Sequence, residues 1–340
     1  MFKRVIAILI ARNREFYRDR AGLGWNILMP MMMVLAFAFI FQGDQKDLLK
    51  VGVVAQQGDL STVTSPLLEV QHLTFVPFSG PDEAIRKVER HQLDLLLDLR
   101  AAPAYWVNVN SANGYLAERL LLGAYAAPAQ GAPERKTVTG EALRYVDWVL
   151  PGVLAMNIMF SSLWGVGWVI VRYRKNGVLR RLKATPLRPW EFLTAQVVSR
   201  LIVVLGASLI VYLGAELLLD FPMRGSYLAL GLVYVAGALC LISLGLIIAA
   251  RLRTEEVADG LLNLMSWPML LLSGVWFSME GTNALAQTFS RLLPLTHLVE
   301  AARKVMIDGA GVLEILPQVG LLLALGVLFL SVATWMFRWE

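Results

Sequence analysis

Apolar residues in this chain gather into long uncharged runs separated by basic turns. Runs of about 20 apolar residues are what a bilayer core of ~30 Å requires at ~1.5 Å per helical residue. Such runs fall at about Leu23–Phe41, Trp148–Val171, Phe192–Ala215, Tyr227–Ala250, Leu261–Trp276 and Ile315–Phe337, which predicts six transmembrane helices. Residues 1–20 follow another pattern. Phe2, Val5, Ile6, Leu9 and Phe16 recur at helical spacing, while Lys3, Arg4, Arg12, Arg14 and Arg18 occupy much of the remaining surface. A helix with that division lies in the membrane interface rather than crossing it. Its apolar stretch Val5–Ile10 is too short and too interrupted by basic residues for a cleavable signal peptide.

Between the first two spans, over residues 42–146, the period changes. Short β-like runs begin at Lys50, Leu73, Leu93 and Tyr105. Helices are predicted from Pro81, with proline at a first-turn position, and from Gly114. Strands alternating with helices predict a small α/β domain inserted in the membrane protein. The stretch "APAQGAPERKTVTG", from Ala127, reads as a mobile loop. The predicted organisation is therefore an interfacial helix over 1–20, a first span over 21–41, the α/β domain over 42–146, and the remaining spans over 147–340.

Composition agrees: 57% of residues are hydrophobic and 17% charged, the balance of a polytopic helical membrane protein. The net charge of +5 is no sign of a nucleic-acid groove, because the basic residues flank apolar runs. Arg200 and Glu216 read as boundary residues of the third span, with Arg200 snorkelling. Asn157 and Asn263 are candidates for hydrogen bonds between helices, and Gly231, Ala236 and Gly237 for close helix packing. The single cysteine, Cys240, excludes a disulfide within the chain and a thiolate metal cluster. No phosphate-cradling GxxxxGK[ST] loop, HExxH pair or GxSxG elbow occurs, so the chain carries no catalytic site and no cofactor or metal of its own. His72, His91 and His297 are too scattered to form a site. The spans hold almost no acidic residues, which argues against an ion-driven carrier.

Lys and Arg concentrate in segments 1–20 and 172–188, at Arg251 and Arg253, and at Arg338, whereas the short connection 220–226 has only Arg224. The positive-inside rule then places both termini, residues 172–188 and the loop 251–260 in the cytoplasm, and the α/β domain outside.

The segment "KNGVLRRLKATPLRPWEF", Lys175 to Phe192, combines basic charge with an apolar helical edge at Val178, Leu179 and Leu182. Gly177 permits a turn and Pro186 ends the short helix. It is either a topogenic loop or a docking element. The segment resembles the cytoplasmic coupling region of type-2 ABC exporter permeases, through Gly177, Leu179, Leu182, Thr185, Pro186, Leu187, Trp190 and Glu191. A second stretch, "PMLLLSGVWFSMEG" from Pro268 followed by "LLPLTHLVEAAR" from Leu292, is similar to that family's fifth span and the half-buried re-entrant helices after it. The large insertion is similar to the branch with an extracytoplasmic domain. Two departures stand out: Lys175 and Arg180 occupy positions where the family often has acidic residues, and His297 replaces a common aromatic.

The resemblance implies a non-ATPase permease subunit of an ATP-driven exporter in a bacterial inner membrane. ATP and Mg would bind a partner ABC ATPase, two copies per transporter. That ATPase would dock on Gly177, Leu179, Arg180, Arg181, Leu182, Thr185, Pro186 and Leu187 within residues 172–190. A second permease chain, identical or related, and membrane lipid are the further partners; a periplasmic adaptor is another candidate, and nucleic acid is not. Pro268, Gly274, Pro294 and His297, with the re-entrant region 276–305, form either an outer gate or an interfacial cap on the bundle. Two rival readings are a permease that transmits force to its outer domain without passing substrate, and a membrane-anchored ligand sensor.

Overall fold

The computed structural model describes residues 2–40, 49–55, 65–70, 73–100, 103–125, 134–138, 143–221, 223–252 and 254–339, so the readings at His72 and Arg253 lie outside it. The chain divides into two units, residues 41–144 and a second unit made of 1–40 with 145–340.

The helical unit begins with α1, Phe2–Arg18, and α2, Arg20–Ile40. The joint between them is Asp19, whose Oδ1 accepts the Gly22 N–H at 2.9 Å. Later in the chain α5, Tyr145–Ser162, runs through a π-helical turn, Leu163–Trp168, into α6, Val169–Lys175, forming one rod of 31 residues. The short α7, Val178–Lys183, precedes α8, Pro189–Leu219, and α9, Tyr227–Ala249. Then come α10, Glu255–Leu272, α11, Ala284–Leu292, α12, Pro294–Met306, and α13, Val312–Met336.

The rod from α5 and α9 form the buried centre, which α13 flanks by lying along α9. Glycine sets that approach: a Cβ on Gly326 would stand 3.3 Å from the Cys240 Cα, and one on Gly245 would stand 3.1 Å from the Leu163 carbonyl oxygen. Gly237 meets Leu298 of α12 in the same way, at 2.5 Å, whereas Gly231 faces open space.

Among the described residues, five helices are long and apolar enough to cross a membrane: α2, the α5–α6 rod, α8, α9 and α13. Of the six spans expected, the one at Leu261–Trp276 is not among these five helices. There the helix starts earlier, at Glu255, takes Glu255, Glu256 and Asp259 into its first turns, and stops at Leu272. The acidic residues precede the predicted span, and the uncharged part of the helix, Leu261–Leu272, ends too soon to cross a bilayer core of ~30 Å, because the chain breaks where the span was to continue.

The inserted unit is a five-stranded mixed sheet in the order β2-β1-β3-β4-β5. Its strands are β1, Leu49–Val54, β2, Leu73–Phe78, β3, Leu95–Asp98, β4, Ala104–Asn108, and β5, Glu134–Val138. β1 runs parallel to β2 and β3, β3 is antiparallel to β4, and β4 is parallel to β5. Alternate residues feed two cores, as a period of two requires. Val51, Val53, Leu95, Leu97, Tyr105 and Val107 pack under α4, Ala112–Tyr125. Val76, Phe78, Leu96, Ala104 and Trp106 pack under α3, Pro81–Glu89. β5 corrects the expectation of a loop through 134–138. Its sequence, Glu-Arg-Lys-Thr-Val, carries no apolar alternation because it is the edge strand beside β4.

Candidate functional site

The segment that joins the α5–α6 rod to α8 is a jointed link. After α6 the chain turns at Gly177, whose φ of 69° is the left-handed conformation that glycine adopts without penalty. The Gly177 N–H reaches the Arg174 carbonyl at 3.1 Å, and the Gly177 carbonyl accepts the Arg181 N–H at 3.2 Å. Thr185 closes α7, its hydroxyl donating to the Leu182 carbonyl at 2.6 Å. Pro186 has no N–H to continue the helix. Pro189 then opens α8, with the Glu191 carboxylate accepting the Arg188 N–H at 2.9 Å. Arg180, Arg181, Lys183, Thr185 and Pro186 are exposed, Leu182 and Leu187 are half-buried, and Leu179 is wholly buried in the chain's own core.

Fixed points surround this link. Arg174 donates to the carbonyls of Ala249 and Ala250 at 2.9 and 3.0 Å, to that of Leu252, and to that of Arg338 at 2.9 Å. A cation among the last carbonyls of α9 satisfies groups a helix end leaves open. Lys175 pairs with Glu255, at the start of α10, at 3.4 Å. From α1, Arg4 donates to the Pro186 carbonyl, and Arg12 to the Gly165 carbonyl at 3.1 Å and the Tyr173 hydroxyl at 3.3 Å. The ends of α1, α9, α10 and α13 therefore meet at one link. The reading from sequence missed Arg12 and Arg174 as anchors. Both had been read as topology charges, and only tertiary placement separates an anchor from a solvated charge.

Arg200 also departs from expectation. It does not snorkel: it is 7% exposed, and its Nε and Nη2 donate to the Ser161 carbonyl and hydroxyl at 2.6 and 2.7 Å. The space it fills exists because residue 165 is glycine. The two asparagines expected to tie helices together do not. The Asn157 side-chain nitrogen is buried without a partner, and that of Asn263 bonds the Asp259 carbonyl of its own helix at 2.9 Å.

Beyond α10 the backbone breaks at Ser273 and Gly274, the latter at φ 71°. Pro268 lies inside α10, Pro294 is the first residue of α12, and the His297 ring hydrogen-bonds the Arg291 carbonyl at 2.8 Å across the α11–α12 elbow. Thr296 donates to the Ser273 hydroxyl at 3.1 Å and meets the Ser290 hydroxyl at 3.3 Å, a buried polar knot between α10, α11 and α12. Arg303, which sequence reasoning passed over, stacks on Trp148 at 3.7 Å and donates to the carbonyls of Trp148 and Val275, each at 3.3 Å. Tyr145 donates to the Trp276 carbonyl at 2.7 Å. The break is thus clamped to the start of α5. α12 is buried, while α11 leaves Leu285, Phe289 and Leu292 exposed. Among the described residues no group of His, Cys, Asp or Glu is arranged to hold a metal.

A family model described as ABC-2 family transporter protein matches residues 20–335. The inner membrane transport permease YhhJ of Escherichia coli is 28% identical over 190 residues, which cover 55% of this chain and 51% of that protein. The chain thus spans about half the length of that relative. The probable multidrug ABC transporter permease YbhS of Escherichia coli is 23% identical over an alignment of 365 positions, covering 98% of this chain and 96% of that protein. ABC transporter G family member 20 of Dictyostelium discoideum is 24% identical, over 87% of this chain and 45% of that protein. No solved structure matches the chain.

Proposed function

Since the chain belongs to the ABC-2 family of transporter proteins, we propose that it is the permease subunit of an ATP-driven exporter in a bacterial inner membrane. The chain itself is not the ATPase component. A separate ABC ATPase, in two copies, binds ATP and Mg and docks beneath the bundle on the link of residues 172–190. A second permease chain completes the transporter, with both chains' termini in the cytoplasm. Residues 42–146 form an extracytoplasmic domain, and α10 with the broken α11–α12 segment completes the sixth crossing.

One observation supports the docking reading above others: α7 is held by the buried Leu179 yet presents Arg180, Arg181 and Lys183 outward. A topogenic loop needs only the charge. A docking element also needs a rigid mount, which Gly177, the Thr185 cap and the Arg174 anchor supply. Displacing α7 would pull on α6, α8 and α1 together. ATP then shifts the bundle only in so far as the ATPase binds one arrangement better than the other. Pro268, Gly274, Pro294 and His297 belong to the clamp on the outer side, where the polar knot and Arg303 would part on opening.

The test is co-purification. Full-length tagged protein, extracted from its own membranes with mild detergent, should bring down an ABC ATPase, and a photo-crosslinker at Lys183 should join the two chains. A crosslinker at Lys183 that captures no ATPase would overturn the docking.

A further inference from the structure

The contact between α8 and the π-helical turn holds a buried cation, Arg200. Arg200 is 7% exposed, and a Cβ on Gly165 would stand 1.9 Å from its Cζ. Its Nε and Nη2 are engaged by Ser161, and no hydrogen bond from Nη1 is made among the described residues. No carboxylate among them pairs with it, and the charge nearest in effect is Arg12, of the same sign. Arg12 carries its own counter-ion, Glu15 at 2.9 Å, which leaves the pair of arginines with one positive charge uncancelled. The Phe16 ring faces the guanidinium at 5.5 Å. Burying a cation without a partner costs several kcal/mol, and a guanidinium presents five donors in a fork suited to phosphate.

Depth points to the source of the missing anion. α8 has 31 residues, about 46 Å against a bilayer core of ~30 Å. Before Arg200 it carries Glu191, Gln196 and Ser199, and after Arg200 the helix is almost wholly apolar to Ala215. Arg200 therefore stands near the depth where phospholipid phosphates begin. The amphipathic α1 lies along α8 there, with Asn13 hydrogen-bonded to Ser199.

We propose that Arg200, seconded by Arg12, is a phosphate site between α1, the π-helical turn and α8, filled by the headgroup of an anionic phospholipid or by a free phosphate ion. The anion would neutralise the buried charge and take up Nη1. By occupying the joint of α1 with the rod, it would tie the position of α1 to the lipid. The site holds whether or not the ATPase docking above is right, and its test uses no ATPase.

Purified full-length protein, stripped of lipid, would be titrated with phosphatidylglycerol or phosphatidylcholine and bound lipid counted by native mass spectrometry. Wild type should retain phosphatidylglycerol in preference, and Arg200→Gln should weaken that binding about tenfold, the loss of one charge-assisted contact. Arg200→Lys keeps a buried cation but loses the fork, so it decides the matter if Arg200→Gln does not fold; it should lose most of the preference. Arg18→Gln, on the exposed end of α1, should lose none. Inorganic phosphate that displaces the lipid supports a site open to the free ion; failure to displace it supports a site for the headgroup. Equal retention of the two lipids by wild type with no inorganic phosphate bound in their place, or binding unchanged in the Arg200 variants, overturns the proposal.

Discussion

Gly177 shows what one residue contributes to the link. Nothing lies within 4 Å of where its Cβ would be, so substitution meets no steric obstacle, but φ of 69° remains unfavourable for any other residue. Gly177→Ala should cost about 1 kcal/mol, read as a lower thermal midpoint, and should loosen the geometry of α7 without altering insertion. Asp94 makes a second residue-scale case, in the inserted domain. Burial pushes its carboxyl above the ordinary range, against the opposing Lys50 N–H at 2.6 Å and the Asn113 side chain. A raised carboxyl pKa favours the folded state when protonated. The stability it lends is complete at low pH and declines once the pH exceeds the unfolded value of about 3.9, levelling off above the folded value. Residues 44–144, produced alone, should unfold cooperatively, because both faces of the sheet are covered by helices. In that fragment Asp94→Asn should be the more stable protein near neutral pH, with the difference vanishing in acid. Urea unfolding across pH would check it; a constant difference would show that ionisation is not the cause.

At the scale of elements, α7 and its flanks were the most legible part of the chain. Gly177, the Leu179/Leu182 spacing and Thr185-Pro186 are local signals, and local backbone rules suffice to read a turn, a short helix and a stop. Strands 1 to 4 were legible for the same reason, since alternation of apolar residues is local. What was not legible depends on partners distant in sequence. β5 is polar because it closes an edge, the π-helical turn at Leu163–Trp168 packs on α9 and, through Gly165, against Arg200, and Arg303 becomes a clamp only once α12 is buried beside Trp148. The exposed and buried sides of α7 separate two kinds of variant. Arg180→Glu with Arg181→Glu reverses exposed charge, so it should weaken ATPase association most at low salt, where screening is least. Leu182→Asp places a charge at a half-buried apolar position, so its effect should depend little on salt. Co-purification at two salt concentrations distinguishes them, and wild-type association by both would make α7 a topogenic loop.

For the whole molecule the open quantity is which side of the membrane each unit occupies. The fold supplies two units but no membrane, so sidedness rests on charge: seven Lys or Arg lie between 172 and 188, against only Arg224 in the connection 220–226. An impermeant thiol reagent can read it directly. Cys240 is buried and would be replaced by Ala to leave a silent background. Ser111 is a poor reporter on the inserted domain, being buried with its hydroxyl accepting the Gly114 N–H at 2.9 Å, whereas Asn110 beside it is exposed. Lys183 is exposed on α7. If α7 faces the cytoplasm, the Asn110→Cys protein should label in intact cells, and the Lys183→Cys protein only after the membrane is opened. Because the α5–α6 rod connects the inserted domain to α7 as one continuous helix of 31 residues, about 46 Å, the two positions cannot lie on one side if the rod spans the bilayer. Labelling of both in intact cells would therefore refute the spanning rod itself. Labelling of Lys183→Cys alone would invert the topology and move any ATPase contact away from α7.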